Sequence, residues 1–173
     1  TINKMCGSGL QSIILADEII NNNPDKIIIA GGMESMSQSP HYLLNSRTGI
    51  KLGEGKIVDG MIVDGLWDIY NDKHMGNCAE MCAREYKITR EQQDDYAISS
   101  YQRSQESISS GRFINEIVPV EVNLKKGTEI INQDEEPSRV SFEKLKKLKP
   151  AFEKEGTVTA GNASTINDGA AAC

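Results

Sequence analysis

A helical segment followed at once by a short β-branched run restricts the fold more than any other feature of the sequence. Apolar side chains recur at helical spacing across residues 10–20, and a polar stretch containing Pro24 ends the pattern. Residues 26–30 then predict a strand buried on both faces, closed by the pair Gly31 and Gly32. A helix followed by a buried strand is half of a βαβ crossover, so we expect an α/β layer.

Local patterns predict the start of further helices and the position of two later strands. Ser8 with Gln11, and Thr89 with Gln92, have the spacing of capping boxes and mark two helix starts. The predicted inward-facing residues are Met75, Ala79, Cys82 and Tyr86 on a helix beginning near His74, and Ala97, Tyr101 and Ile108 on the next helix, which ends at Gly111. The predicted strands are residues 117–124 and 157–160.

Composition and charge argue against several classes of function. The net charge of -6 argues against non-specific binding to nucleic acid. No apolar run approaches the roughly 18 residues that a membrane span requires, so we expect no membrane partner. Four cysteines in 173 residues are too few for a disulfide scaffold, which favours a reducing compartment. Both ends read as interrupted elements, and we expect the chain to be a fragment of a longer one.

Cys6 stands just before the first predicted helix, among the small residues Gly7, Ser8 and Gly9. A helix N-terminus stabilises a thiolate, the nucleophilic form of cysteine, by about 0.3–1 kcal/mol, and by up to ~2 kcal/mol in good geometry. An activating base is still required, because this energy is too small to ionise the thiol fully at neutral pH. The glycines would let the Cys6 amide face a developing oxyanion. On these residues alone, the alternative is an inert cysteine at a tight turn.

Four segments, taken in order, resemble the motifs of the thiolase family, the coenzyme-A-dependent acetyltransferases. They are NKMCGSGLQS (residues 3–12), AGGMESMS (30–37), KHMGNCAE (73–80) and GTVTAGNASTINDGAAA (156–172). The chain is most similar to the acetoacetyl-CoA thiolase branch. The resemblance implies the thiolase fold, a layered αβαβα form of the α/β class, of which this chain holds part. The implied divisions are residues 1–37, part of the N-terminal α/β half; residues 38–156, a loop domain that covers coenzyme A; and residues 157–173, the truncated return strand of that half.

The resemblance also implies an acetyl-CoA C-acetyltransferase in which Cys6 carries the acetyl group as a thioester. A second acetyl-CoA takes that group to give acetoacetyl-CoA, and the reverse reaction is thiolysis. The family also uses an Asn-Glu-Ala loop, a Gly-His-Pro histidine and a Cys-x-Gly cysteine, and this sequence contains none of them. We therefore expect the chain alone to be inactive. Two alternatives stay open: a non-catalytic coenzyme-A-binding or assembly module, and another thiolase-fold condensing enzyme such as a ketoacyl synthase.

By the same resemblance, eight residues contact the acyl-CoA substrate. Those near the pantetheine and acyl end are His74 and Met75, and those on the rest of coenzyme A are Tyr101, Arg139, Val140, Ser141, Lys144 and Ser164. The cations of Arg139 and Lys144 suit the phosphates, and the hydroxyl of Ser164 suits a pantetheine amide. Without the motifs, Arg139 and Lys144 would be read as a solvated basic face.

The branch includes enzymes that bind a potassium ion, and the resemblance implies that the matching residues of this chain are potassium ligands. The implied ligands are the side chain of Tyr101 and the carbonyls of Ala160, Gly161 and Ala163, an all-oxygen set that suits a hard cation. No tightly bound cofactor is implied, since coenzyme A and acetyl-CoA are substrates. The family implies a homodimer or homotetramer, with residues 41–56 at the position of the tetramer-forming loop. The branch favours a mitochondrial location, with the cytoplasm as the alternative.

A zinc site is a competing interpretation of one helix. His74, Cys78 and Cys82 are spaced four residues apart, which places them on one face. A structural zinc site takes four ligands, however, and the neighbouring sequence supplies no fourth. Because Cys82 also falls in the predicted apolar stripe, we expect it to pack in the core.

Overall fold

The computed structural model describes residues 1–125 and 127–173, which form two compact units. The first unit comprises Thr1–Met75 and Thr165–Cys173, and the second comprises Gly76–Ser164. The domain divisions expected at residues 37 and 156 stay a prediction. Within the described residues, no helix combines the length and the apolar character needed to cross a membrane.

Helices and short antiparallel ladders make up the regular structure of the described residues. The helices are α1 (Ser8–Asn22), α2 (Met75–Glu85), α3 (Arg90–Ser109), α4 (Glu136–Arg139) and α5 (Phe142–Leu145). The strands are β1 (Gly31–Ser35), β2 (His41–Leu43), β3 (Ile57–Asp59), β4 (Trp67–Asp68), β5 (Lys73–His74), β6 (Val120–Leu124), β7 (Gly127–Ile131) and β8 (Asp168–Ala172). The antiparallel pairs are β1 with β8, β2 with β3, β4 with β5, and β6 with β7. Single turns of 3-10 or π helix occur at Met36–Gln38, Ser46–Thr48 and Met61–Gly65.

The helix predicted near the amino end is confirmed as α1, but the strand predicted directly after it is wrong. Residues 26–30 are irregular, and β1 begins at Gly31. The predicted burial on both faces is also absent, because Ile27 is 97% exposed and Ile29 is 82% exposed. The strand β1 begins where the chain pairs with β8. Gly31 lies opposite Ala172 at one end of this antiparallel pair, and Ser35 lies opposite Asp168 at the other.

The inward face of α2 differs from the predicted apolar stripe. The buried residues are Gly76, Glu80 and Ala83. Gly76 lies so close under the ring of Phe152 that a Cβ at this position would overlap it. The close approach of this ring and the bonding of Glu80 therefore decide which face of the helix is buried. The predicted inward residues are exposed instead, namely Met75, Ala79, Cys82 and Tyr86.

The capping box predicted at the start of α3 is confirmed. The Thr89 hydroxyl accepts the Gln92 amide at 3.2 Å, and the Gln92 side-chain oxygen accepts the Thr89 amide at 2.8 Å. After α3, Gly111 has a φ of +70°, a left-handed conformation that glycine adopts without a Cβ clash. The residues predicted to face inward, Ala97, Tyr101 and Ile108, are half-buried.

Of the two later strands predicted from the sequence, one is present. β6 lies within the predicted residues 117–124 and pairs with β7. Residues 157–160 form no strand, although Val158 and Thr159 are buried. Side chains take the place of a strand partner there, because the amides of these residues donate to a carboxylate and an amide oxygen.

Candidate active site

A tight turn places Cys6 ahead of α1. The residue is exposed and precedes Gly7, the N-cap of the helix. Met5 has a φ of +50°, in the left-handed region that residues with side chains rarely occupy. The Ser8 hydroxyl fixes this turn, since it accepts the Lys4 amide at 2.8 Å and donates to the Met5 carbonyl at 2.7 Å. The thiol therefore stands at the helix end whose first amides have no intrahelical partners.

The capping box predicted from Ser8 and Gln11 is wrong. Ser8 is the first helical residue rather than the N-cap, and the N-cap Gly7 has no side chain with which to cap. The physical reason is competition, because the Ser8 hydroxyl is already engaged by Lys4 and Met5 on the incoming chain. This serine stabilises the turn that carries Cys6 and not the helix end.

The start of α1 approaches β1 closely because Gly9 and Gly32, which lack side chains, face each other. A Cβ added to Gly32 would lie 3.6 Å from the Cα of Gly9, and the Ser12 hydroxyl donates to the Gly31 carbonyl at 3.0 Å. On its other side, Gly31 leaves no room for a Cβ, which would overlap the carbonyl oxygen of Ala171 on β8. The small residues of these sequence motifs thus let α1, β1 and β8 pack closely together.

His74 and Met75 lie where β5 meets α2, in the same unit as Cys6. The half-buried His74 makes an edge contact with Trp67, with ring centroids 6.5 Å apart and ring planes at 83°. The Trp67 indole donates in turn to the Asp72 carboxylate at 3.0 Å. The β4–β5 hairpin therefore fixes the imidazole through an aromatic neighbour that is itself held by a carboxylate.

The other six predicted coenzyme A residues belong to the second unit, and three of them lie on α3, α4 and α5. Tyr101 donates its hydroxyl hydrogen to Glu136 at 2.8 Å, which links α3 to α4. Burial, and then this hydrogen bond, raise the pKa of Tyr101 above its ordinary value. Arg139 pairs with Glu135 at 2.8 Å with both side chains largely exposed, and Lys144 is exposed on α5. The link between α4 and α5 consists of Val140, which is half-buried, and Ser141, which is exposed.

Glu80 anchors residues 157–164, which we call the 157–164 loop. Glu80 is 1% exposed, and its carboxylate accepts the Thr157 amide with both oxygens, at 2.8 and 2.9 Å. It also accepts the Thr157 hydroxyl at 2.9 Å and the Val158 amide at 2.7 Å. Burial by itself raises the pKa of Glu80, but these hydrogen bonds outweigh burial and hold the pKa below its ordinary value.

The opposite side of the 157–164 loop is held from α3. The Asn162 side-chain amide donates to Asp94 at 2.9 Å and to the Thr157 carbonyl at 3.1 Å. The Gln93 side chain donates to the Thr157 hydroxyl at 2.9 Å. The loop contains four predicted site residues, of which Ala160 and Ser164 are exposed and Gly161 and Ala163 are half-buried.

Sequence reasoning missed Glu80, Asp94 and Asn162, which are polar residues that organise this region. For two of them, the sequence feature that could have pointed to a role was their place in a motif. Glu80 ends the KHMGNCAE segment, and Asn162 lies inside GTVTAGNAS. Periodicity could not find them, because a polar residue on a helix is ordinarily read as solvent-facing.

The zinc interpretation gains no support from the arrangement of side chains. Across residues 1–125 and 127–173, no three or more His, Cys, Asp or Glu side chains are grouped to hold a metal ion. The expected alternative is wrong for Cys82, which is exposed instead of packed in the core, and Cys78 is half-buried. Neither cysteine forms a disulfide.

Comparison with known proteins identifies the chain. The family model for the thiolase N-terminal domain matches residues 1–173, and the chain therefore belongs to the thiolase family. An acetyl-CoA acetyltransferase of Yarrowia lipolytica is 55% identical over 172 residues, covering 99% of this chain and 43% of that relative. The chain thus spans less than half the length of this curated relative.

Solved structures agree with the family and with the predicted fold. The human mitochondrial 3-ketoacyl-CoA thiolase matches with a TM-score of 0.90 and 43% identity, covering 99% of this chain and 44% of that one. The Acat5 thiolase of Ascaris suum, solved in complex with coenzyme A, matches with a TM-score of 0.88 and 43% identity, covering 100% of this chain and 44% of that one. The prediction of a thiolase fold, of which this chain holds part, is confirmed.

Proposed function

We propose that this chain is part of an acetyl-CoA C-acetyltransferase that joins two molecules of acetyl-CoA into acetoacetyl-CoA and catalyses the reverse thiolysis. The observation that carries the proposal is the exposed Cys6 at the start of α1, in a chain 55% identical to a relative named acetyl-CoA acetyltransferase. The first amides of a helix have no intrahelical partners and can donate to a negatively charged group that forms beside them. A structural cysteine is ordinarily buried and inert, whereas this one is accessible to a substrate.

In the proposed reaction, Cys6 attacks the thioester carbonyl of acetyl-CoA. A carbon–sulfur bond forms to Cys6, the bond to the coenzyme A sulfur breaks, and coenzyme A leaves as a thiolate that takes a proton. The deprotonated methyl carbon of a second acetyl-CoA then attacks acetyl-Cys6, and the Cys6 thiolate is released with acetoacetyl-CoA as product. The proton-transfer groups of the family, the Gly-His-Pro histidine and the Cys-x-Gly cysteine, would come from sequence outside these 173 residues.

We assign coenzyme A binding mainly to the second unit. Arg139 and Lys144 are exposed and carry the positive charge that phosphates require. Arg139 must exchange its partner Glu135 for a phosphate, and this is feasible because an exposed ion pair of this kind is worth only about 0–1 kcal/mol. Ser164 is exposed and available to a pantetheine amide. The remaining proposed contacts are Tyr101, Val140 and Ser141, with His74 and Met75 at the acyl end.

A potassium ion is part of the proposal for the same region. Tyr101 would supply a phenol oxygen, and Ala160, Gly161 and Ala163 would supply carbonyl oxygens, a donor set that fits a hard monovalent cation. The negative charge of Glu136, bonded to Tyr101, would favour a cation nearby. The ion would order the loop and would take no part in bond making.

Assembly and location complete the proposal. We propose a homodimer or homotetramer in which residues 41–56 contact another subunit. Support comes from the exposed apolar side chains of the β2–β3 hairpin, with Ile50 54% exposed and Leu52 fully exposed. We propose a mitochondrial protein, with the cytoplasm as the alternative.

Thiolysis assays test the proposal. A complete subunit containing this chain is expected to cleave acetoacetyl-CoA in the presence of coenzyme A, and Cys6→Ala is expected to abolish this activity. The 173-residue chain by itself is expected to be inactive. Cleavage by the isolated chain at the rate of the complete subunit, or full activity of Cys6→Ala, would contradict the proposal.

A further inference from the structure

A partly buried ion pair lies at the start of α3, outside every residue assigned above to catalysis or binding. The Nε of Arg90 donates to Asp94 at 2.8 Å, with the side chains 26% and 6% exposed. Removing charges from water is unfavourable, and the attraction within an ion pair compensates only when further hydrogen bonds are made. The other partners of the two side chains therefore indicate what the pair is for.

Arg90 reaches the last residue of α5 and the turn that follows it. Its second terminal nitrogen donates to the Leu148 carbonyl at 3.0 Å and to the Leu145 carbonyl at 3.4 Å. Leu145 is the last residue of α5, and Leu148, whose amide donates to the Leu145 carbonyl at 3.1 Å, lies in the turn that follows. Arg90 thus holds the turn after the short helix that carries Lys144 and follows Ser141.

Asp94 reaches the 157–164 loop with its other oxygen. That oxygen accepts the Asn162 side-chain amide at 2.9 Å, and the Asn162 oxygen in turn accepts the Thr159 amide at 2.8 Å. The same two segments also touch directly, because a Cβ on Gly161 would lie 2.7 Å from the Cγ of Leu145. One carboxylate therefore connects, through Arg90 and Asn162, the two segments that carry the proposed coenzyme A contacts.

We propose that Asp94 is a positioning residue for coenzyme A: with Arg90 it fixes residues 139–145 and the 157–164 loop against each other, so that their contacts form one binding surface. This inference rests on the proposed function. Asp94 is buried, and its effect passes through the positions of Lys144 and Ser164. Loss of the pair therefore weakens binding of coenzyme A more than it slows the chemical step at Cys6.

The test is Asp94→Asn in a complete subunit, assayed by thiolysis of acetoacetyl-CoA. The KM for coenzyme A is expected to rise about tenfold, with kcat changed less than about threefold. A purely structural role would lower the melting temperature and the active fraction but leave the KM of the folded enzyme unchanged. Asp95→Asn is the matched control, because Asp95 is the next residue on the same helix and makes an exposed ion pair with Lys146 at 3.5 Å. Its KM is expected to stay within about twofold of wild type.

Arg90→Lys is the second variant, in case Asp94→Asn does not fold. It keeps a cation beside Asp94 but loses the fork to the two carbonyls, so the KM for coenzyme A is expected to rise here as well. Unchanged KM values in the folded variants would overturn the inference. Calorimetry with coenzyme A distinguishes failure of the proposed function from failure of the inference about Asp94. No binding by wild type overturns the proposed function and this inference with it, whereas equal binding by wild type and variants overturns the inference alone.

Discussion

Both carboxylate oxygens of Glu80, on α2, accept the backbone amide of Thr157, at 2.8 and 2.9 Å. The contact joins residues 77 positions apart in the sequence, and Glu80 is 1% exposed. A helix side chain thus holds the backbone of the 157–164 loop in the way that a neighbouring strand would hold it. The ionised form is the one that can accept all of these hydrogen bonds, and the stability of this region therefore depends on pH.

Glu80→Gln is expected to destabilise the protein by about 1–3 kcal/mol at neutral pH, because an NH2 group replaces one of the acceptors. The hydrogen bonds hold the Glu80 pKa below its ordinary value of 4.5, so its stabilising contribution is complete above 4.5 and is lost as the pH falls through the lowered pKa. The difference in unfolding free energy between wild type and variant should therefore shrink in acid. Denaturant unfolding from about pH 7 to about pH 3 measures it.

The control for that experiment is Glu85→Gln, an exposed glutamate on the same helix. It is expected to change stability by less than about 0.5 kcal/mol at every pH. A gap between wild type and Glu80→Gln that stays constant into acid would mean that the ionised carboxylate does not carry the interaction.

Gly161→Ala tests the packing of the 157–164 loop on α5. The new Cβ would lie 2.7 Å from the Cγ of Leu145 and 2.9 Å from a methyl carbon of Leu148. Since Leu145 is buried, its side chain has little room to move, and we expect a loss of about 1–3 kcal/mol from overpacking. Thermal or denaturant unfolding measures the loss. Gly65→Ala, which meets nothing within 4 Å, is the matched control, and equal stability of the two variants would refute close packing here.

Thr89→Ala tests the capping box of α3. Removing the hydroxyl leaves the Gln92 amide without its acceptor, and caps of this kind are worth about 0.5–2 kcal/mol. Thr89→Ser keeps the hydroxyl and should retain most of that stability. Equal unfolding midpoints for the alanine and serine variants would show that the capping bond contributes nothing.

The capping sites show which features the sequence could predict. Thr89 and Gln92 form their box because both partners lie within one helical turn. Ser8 and Gln11 have the same spacing, but the incoming chain at Lys4 and Met5 occupies the serine hydroxyl. A local pattern therefore predicts a local contact only where the preceding chain leaves the side chain available.

The errors in burial have a long-range cause. Ile27 and Ile29 form a strand-like pattern, yet the pairing that starts β1 is decided by β8, more than 130 residues away in the sequence. Glu80 is polar and yet buried, because its hydrogen-bond partners come from the 157–164 loop. The thiolase fold and the position of Cys6 were predictable because they reside in continuous motifs, whereas these contacts join segments that no local pattern connects.

The most direct test of the account is the site of acetylation. A complete subunit containing this chain is incubated with acetyl-CoA, quenched, digested and examined by peptide mass spectrometry. We expect the acetyl group on Cys6 and its loss in the Cys6→Ser variant, with the exposed Cys82 serving as an internal control for non-specific reaction. An acetyl group on another side chain, with Cys6 unmodified, would contradict the account.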